Sequence, residues 1–151
     1  VNYGIKVVAQ LIIVYLGQSL VIWAIFPLHW PLWSQILLAL ALIDIFLFAV
    51  HALSHRSVWL WKLHAIHHSS ERLYWLNGDK RHPLHQVLEG LPGVVLCVLI
   101  GTPLPVIAGA LAILAVNMML QHGNIDYRAG WLKHLFSVAE LHRWHHRADY
   151  H

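Results

Sequence analysis

The chain has 151 residues, enough for one domain, of which 58% are hydrophobic and only 11% charged, where a soluble domain carries about 25% charged residues. That deficit points to lipid surroundings, and a net charge of +3 without a basic run argues against nucleic acid as a partner. The single cysteine, Cys97 within an apolar stretch, excludes a disulfide framework and a cysteine-rich zinc module, whereas 14 histidines are more than packing explains.

Taken in order, Val7 to Phe26 runs for 20 residues without a charge. At about 1.5 Å per residue it matches a hydrocarbon core of about 30 Å. It lacks the pattern of a cleavable signal and is expected to remain as a span. The sequence PLHWPLW (27–33) then breaks the helix with two prolines and supplies interfacial tryptophans. A second apolar segment from about Ser34 to Val50 contains one charge, Asp44. Residues 51–90 are polar, basic and histidine-rich, 91–120 again carry no charge, and 121–151 are polar and basic. As one helix the 91–120 segment would be about 45 Å long, too long for a single crossing. GTPLP (101–105) within it predicts a turn. The segment therefore reads as a helical hairpin, its first arm starting near Pro83 and kinked at Pro92, its second running from about Leu104 to Gln121. A re-entrant hairpin is the alternative.

The predicted fold is all-α: one multi-pass transmembrane bundle over residues 1–151, with about four spans or two helical hairpins. Because the chain stops close behind its last histidine pair, a piece of a longer protein is expected. Nine of the ten Lys and Arg residues lie in 52–90 or 121–151, and Lys6 precedes the first span. With four crossings or re-entries all ten share one face, and by the positive-inside rule that face is cytoplasmic. Thirteen histidines lie on the same face as a cap, with only His29 opposite.

The histidines are spaced for metal. HAIHH (His64, His67, His68) and HRWHH (His142, His145, His146) each project three rings from one helical face, and HALSH adds His51 and His55 at i, i+4. Neutral imidazole is a common metal ligand, and i, i+4 spacing lets two rings meet one ion. Eight histidines exceed the needs of one four- to six-coordinate ion, so two metals are expected. A lone i, i+4 pair is more often surface or packing than ligand. Three sets in helical phase on one face reverse that balance. The remaining polar residues are weaker signals. Asp44, seven residues before His51 on the same face, is expected to orient a ligand ring from behind. His85 and Asn124 are candidates for the same supporting shell. Glu89 and Glu140 read equally well as ligand-orienting or as solvated. His82 and His122 are balanced between ligand and capping or packing roles.

At this point the sequence resembles the fatty acid hydroxylase/sterol desaturase superfamily of integral-membrane di-iron oxygenases. HALSH matches its HxxxH box, HAIHH and HRWHH its two HxxHH boxes, and RHPL and QHGN its intervening elements. The resemblance covers the chain from about Asp44 onwards. It implies that His51, His55, His64, His67, His68, His82, His122, His142, His145 and His146 ligate the metals. It further implies two iron ions, with zinc as a possible substitute, and O2-dependent hydroxylation or desaturation of a lipid such as a fatty acyl chain or sterol. No cytochrome b5 domain or dinucleotide fingerprint is present in the sequence, so electrons are expected from a separate cytochrome b5-like protein or a ferredoxin with its reductase. The expected location is a bacterial inner membrane or the endoplasmic reticulum. The competing class, a histidine-rich metal transporter or sensor, predicts polar ligands strung through the spans. Those spans hold Asp44, Asn117 and a few Gln, Ser and Thr residues.

Overall fold

Helix α1 (Leu32–Ser54) starts behind Pro31, whose φ of −56° and ψ of 145° set an extended entry. Gln35 then fastens the corner by donating from Nε2 to the carbonyls of Trp30 (2.7 Å) and Leu28 (3.2 Å). After three residues α2 (Val58–His68) begins, N-capped by Ser57, whose Oγ accepts from Leu60 N at 3.4 Å. A 3-10 turn, Trp75–Asp79, leads to α3 (Pro83–Leu99) and α4 (Leu104–His122). A second 3-10 turn, Gly130–His134, precedes α5 (Ala139–His145). This computed structural model describes residues 20–134 and 137–146 together with Val8, Ile12, Tyr15 and Gly17; among them the chain is helical and has no strand.

The hairpin expected over 91–120 is present as α3 and α4. Its turn is a Schellman motif: Thr102 N donates to Cys97 O (2.9 Å) and Gly101 N to Val98 O (3.0 Å), with Gly101 at φ +84°. That positive φ is where glycine is required. Pro92 lies inside α3 without ending it.

α1 packs against both α3 and α4. The contact with α3 is close, since a Cβ on Gly93 would lie 2.7 Å from Ile43 Cα. The core joins Ala39 and Ile43 of α1, Val94 and Cys97 of α3, and Val106, Ile107 and Ala110 of α4. Small residues at the crossings let these helices approach without a large hydrophobic filling.

α1 and α4 are each long and apolar enough to cross a membrane; α3 is a shorter apolar helix. Their large apolar side chains turn outward, including Leu37, Ile45, Phe48, Ile113, Val116 and Leu120. An apolar exterior around a small-residue interior suits lipid, not water.

The first predicted span, Val7–Phe26, falls mostly outside the described residues. Val8, Ile12, Tyr15 and Gly17 are helical, but Leu20–Phe26 is not, which corrects the expected helix end. The cause is capping. Ile22 N and Trp23 N donate to Leu99 O, both at 3.0 Å, and Phe26 N donates to Ile100 O at 3.1 Å. The segment thus satisfies carbonyls that α3 leaves open at its end.

Candidate metal centre

Four helices bring histidines to one end of the bundle. His51 sits in the last turn of α1 and His55 is its C-cap; His64, His67 and His68 lie on α2; His122 ends α4; His142, His145 and the C-cap His146 belong to α5. α1 and α4 therefore run towards the site. His85 lies in the first turn of α3, which runs away from it.

The rings sort into two groups. One contains His51, His55, His64, His68 and His145; the other contains His67, His122, His142 and His146, with ligand atoms in each within 4.8 Å of one another. In the first, Nε2 of His64 lies 3.2 Å from Nε2 of His55 and 3.1 Å from that of His68, and Nε2 atoms of His51 and His145 are 2.9 Å apart. In the second, Nε2 of His122 lies 3.2 Å from that of His67 and 3.0 Å from that of His142, which is 3.0 Å from that of His146.

This arrangement explains the repeated HxxHH. In α2 the i, i+4 pair His64 and His68 faces the first group, and His67 faces the second. In α5 the pair His142 and His146 faces the second, and His145 the first. Each box spans both groups, and each group takes a pair from one helix and a single ring from the other.

The donor set fits metal ions. Ligand bonds of about 2.0–2.1 Å would hold nitrogens that share one ion about 3 Å apart, as the Nε2 separations do. Five of the rings are also pushed towards the neutral form that a ligand needs. Burial, then the charges of neighbouring histidines, lowers His68 to about 2 and His146 to about 3, from an ordinary 6.5. His64, His67 and His142 are pushed down in the same way, burial being the largest cause in each.

Nine of the ten histidines named by the resemblance are in these groups; His82 is in neither. Its Nδ1 accepts from Leu84 N at 3.2 Å, so it N-caps α3 ahead of Pro83. His85, a supporting candidate, is fully buried with Nε2 2.8 Å from Ser54 Oγ. The other two supporting candidates are not brought to the rings among the described residues. Asp44 forms no hydrogen bond or ion pair among the described residues, because its place on α1 lies two turns before the rings. Asn124 is exposed, since the chain leaves α4 in an extended conformation at Gly123.

The carboxylate that does meet the histidines is Glu89, on α3 and 2% exposed: Oε1 lies 3.4 Å from His51 Nδ1 and Oε2 3.6 Å from His85 Nδ1. Arg81 binds its Oε2. Glu140 instead braces the 129–140 region, accepting from Ala129 N (3.0 Å) and Lys133 Nζ (3.1 Å). The second group has a backbone counterpart to Glu89. His122 Nδ1 donates to Met118 O at 2.7 Å, and Gly78 is pressed so close that a Cβ there would lie 3.3 Å from that nitrogen. Gly78, Arg81 and Ser54 carry no sequence signature of these roles; each becomes visible only once α3 and the Trp75–Asp79 turn are set against α1 and α4.

Behind the residues that support the rings is a cavity of about 280 Å³, lined by none of the nine histidines. Leu47, Leu114 and Met118 form part of its apolar wall, and Glu89, Arg81 and Asp79 line it too. It touches the supports of both groups: Glu89 behind His51, and Met118 and Gly78 behind His122.

Two helices long and apolar enough to cross a membrane, carrying two metal-competent histidine groups at one end, suggest a membrane protein. The chain belongs to the fatty acid hydroxylase family, whose model matches residues 36–151. It is similar to the ornithine lipid hydroxylase OlsE of Rhizobium tropici, 37% identical over 120 residues that cover 80% of this chain and 36% of that protein. No solved structure matches it significantly.

Proposed function

We propose that the chain is the metal-binding core of a lipid hydroxylase that uses two irons, O2 and an external electron donor. The observation that carries this reading is the pair of histidine groups sharing both HxxHH boxes at one end of the apolar helices. Family membership and the likeness to a lipid hydroxylase support it. Two irons bound there would supply dioxygen activation for insertion into a C–H bond.

The chain's own contribution is placement. The nine rings hold the metals as neutral ligands, and Glu89 and the Met118 carbonyl fix ring orientation from behind. Inserting one oxygen atom and reducing the other to water takes two electrons and two protons. The exposed cations Lys62, Lys80 and Arg128 on the histidine-bearing segments suit an acidic electron-donor protein. The substrate is an amphiphilic lipid, and an ornithine lipid is the first to try. Hydroxylation is favoured over desaturation. In a multi-pass arrangement, the clustered cations put the rings on the cytoplasmic face. A metal transporter fits less well, because the donors gather at one end of the helices and do not line a path along them.

The test is to express the protein in a membrane with a ferredoxin and its reductase, then follow lipids by mass spectrometry under ¹⁸O2. One ¹⁸O gained by a lipid, and lost with His64→Ala, is the expected result. An iron-loaded preparation that alters no lipid overturns the reading.

A further inference from the structure

The two histidine groups are supported from behind by different chemistry. His122 of the four-histidine group rests on an uncharged backbone carbonyl, Met118 O, at 2.7 Å. His51 of the five-histidine group rests on the carboxylate of Glu89, with Oε1 3.4 Å from its Nδ1. Burying a carboxylate is costly unless it is paired, yet Glu89 is only 2% exposed. Arg81 supplies the pairing from the segment just before α3. His85, fully buried and held by Ser54 through its other nitrogen, brings Nδ1 to 3.6 Å from the second carboxylate oxygen.

His64, His85 and Glu89 also lie close enough together to suggest a third metal position. Arg81 decides against it. The guanidinium already occupies Glu89 Oε2, supplies the positive charge there, and would repel a further cation.

We infer that Glu89, anchored by Arg81, is a positioning residue for the five-histidine site alone, and that it makes the two metal sites inequivalent. A neutral imidazole has one N–H. Accepting it at Nδ1 of His51 leaves the Nε2 lone pair facing His145 and the site, and the full carboxylate charge makes the ring a stronger donor than a carbonyl partner does. At the four-histidine site the atom that meets His122 Nδ1 is the neutral Met118 carbonyl, and Asp79 adds a negative charge near that ring without displacing it. The inference rests on the proposed function only in taking the two groups to hold metal.

The experiment is iron release. Detergent-purified chain, loaded anaerobically with Fe(II), is mixed with excess ferrozine and the two release phases are followed. His142→Ala removes one phase and so assigns it to the four-histidine site. Glu89→Gln, which keeps the shape and removes the charge, is expected to speed the other phase about 10- to 100-fold, the usual effect of losing such a partner, while the His142-dependent phase keeps its rate. Arg81→Gln frees the carboxylate from its anchor and is expected to speed the same phase by a smaller factor; it also serves as the test if Glu89→Gln does not fold. Equal acceleration of both phases, with a lowered melting temperature of the metal-free protein, would mean a general structural role and overturn the inference. So would two unchanged phases. A parent chain that binds no iron overturns the proposed function as well, whereas an iron-loaded, lipid-oxidising parent with an insensitive Glu89→Gln overturns only this inference.

Discussion

At His67 the ring is fully buried, Nε2 faces His122, and Nδ1 has no hydrogen-bond partner. It is Nε2, 3.2 Å from that of His122, that this ring offers to a metal in the four-histidine group. His67→Ala should therefore leave about one metal per chain in place of two. His82→Ala should keep both, because His82 caps α3, and the cost should be at most about 1 kcal/mol of stability. Elemental analysis of the purified variants checks both; equal metal loss in the two would return His82 to the ligand set. Helical spacing is a strong signal, and nine of the ten histidines expected as ligands do converge. His82 misleads because the proline after it fits two readings, an intervening ligand element or a helix start, and only the placement of α3 separates them. Glu89 stayed ambiguous for a related reason. A carboxylate four residues after His85 means little until α3 lies beside α1, whereas Asp44 looked better placed on the helix that carries His51 yet meets no ring.

Between elements, the α1–α3 crossing is set by Gly93, where a Cβ would come within 2.7 Å of the Ile43 backbone. Gly93→Ala must push two main chains apart and is expected to cost about 1–3 kcal/mol. Gly90 lies one turn earlier on α3 with nothing within 4 Å of its would-be Cβ. Gly90→Ala should be neutral or raise stability by up to about 1 kcal/mol through helix propensity. Thermal melts of the two variants in one detergent decide; equal melting temperatures would show that the crossing tolerates separation. The hairpin itself was legible, since an uncharged segment too long for one crossing and broken by GTPLP leaves little choice. The stretch Leu20–Phe26 was not. Its composition reads as helix, but its amide groups bond instead to Leu99 and Ile100 at the end of α3, and such long-range capping has no local signature.

Across the whole molecule, the helix directions require the segments after α1 and after α4 to meet at one end. Lys80 and Arg128 are exposed on these two segments, and the native Cys97 is fully buried. Lys80→Cys and Arg128→Cys should thus react with an impermeant maleimide from the same side of a sealed vesicle, over a low background. Reaction from opposite sides would contradict the arrangement. The placement of α5 also has a consequence for how the protein is made. His145 completes one group of rings and His142 and His146 complete the other, so neither is whole until the ribosome has passed residue 146. Before that, His51, His55, His64 and His68 already form a four-ring set without α5. Copper and zinc bind nitrogen sites more tightly than ferrous iron, so for the iron enzyme proposed above the half-made chain would pass through an interval in which those ions are favoured. Loading with iron would then depend on how little free zinc and copper the cell holds during synthesis.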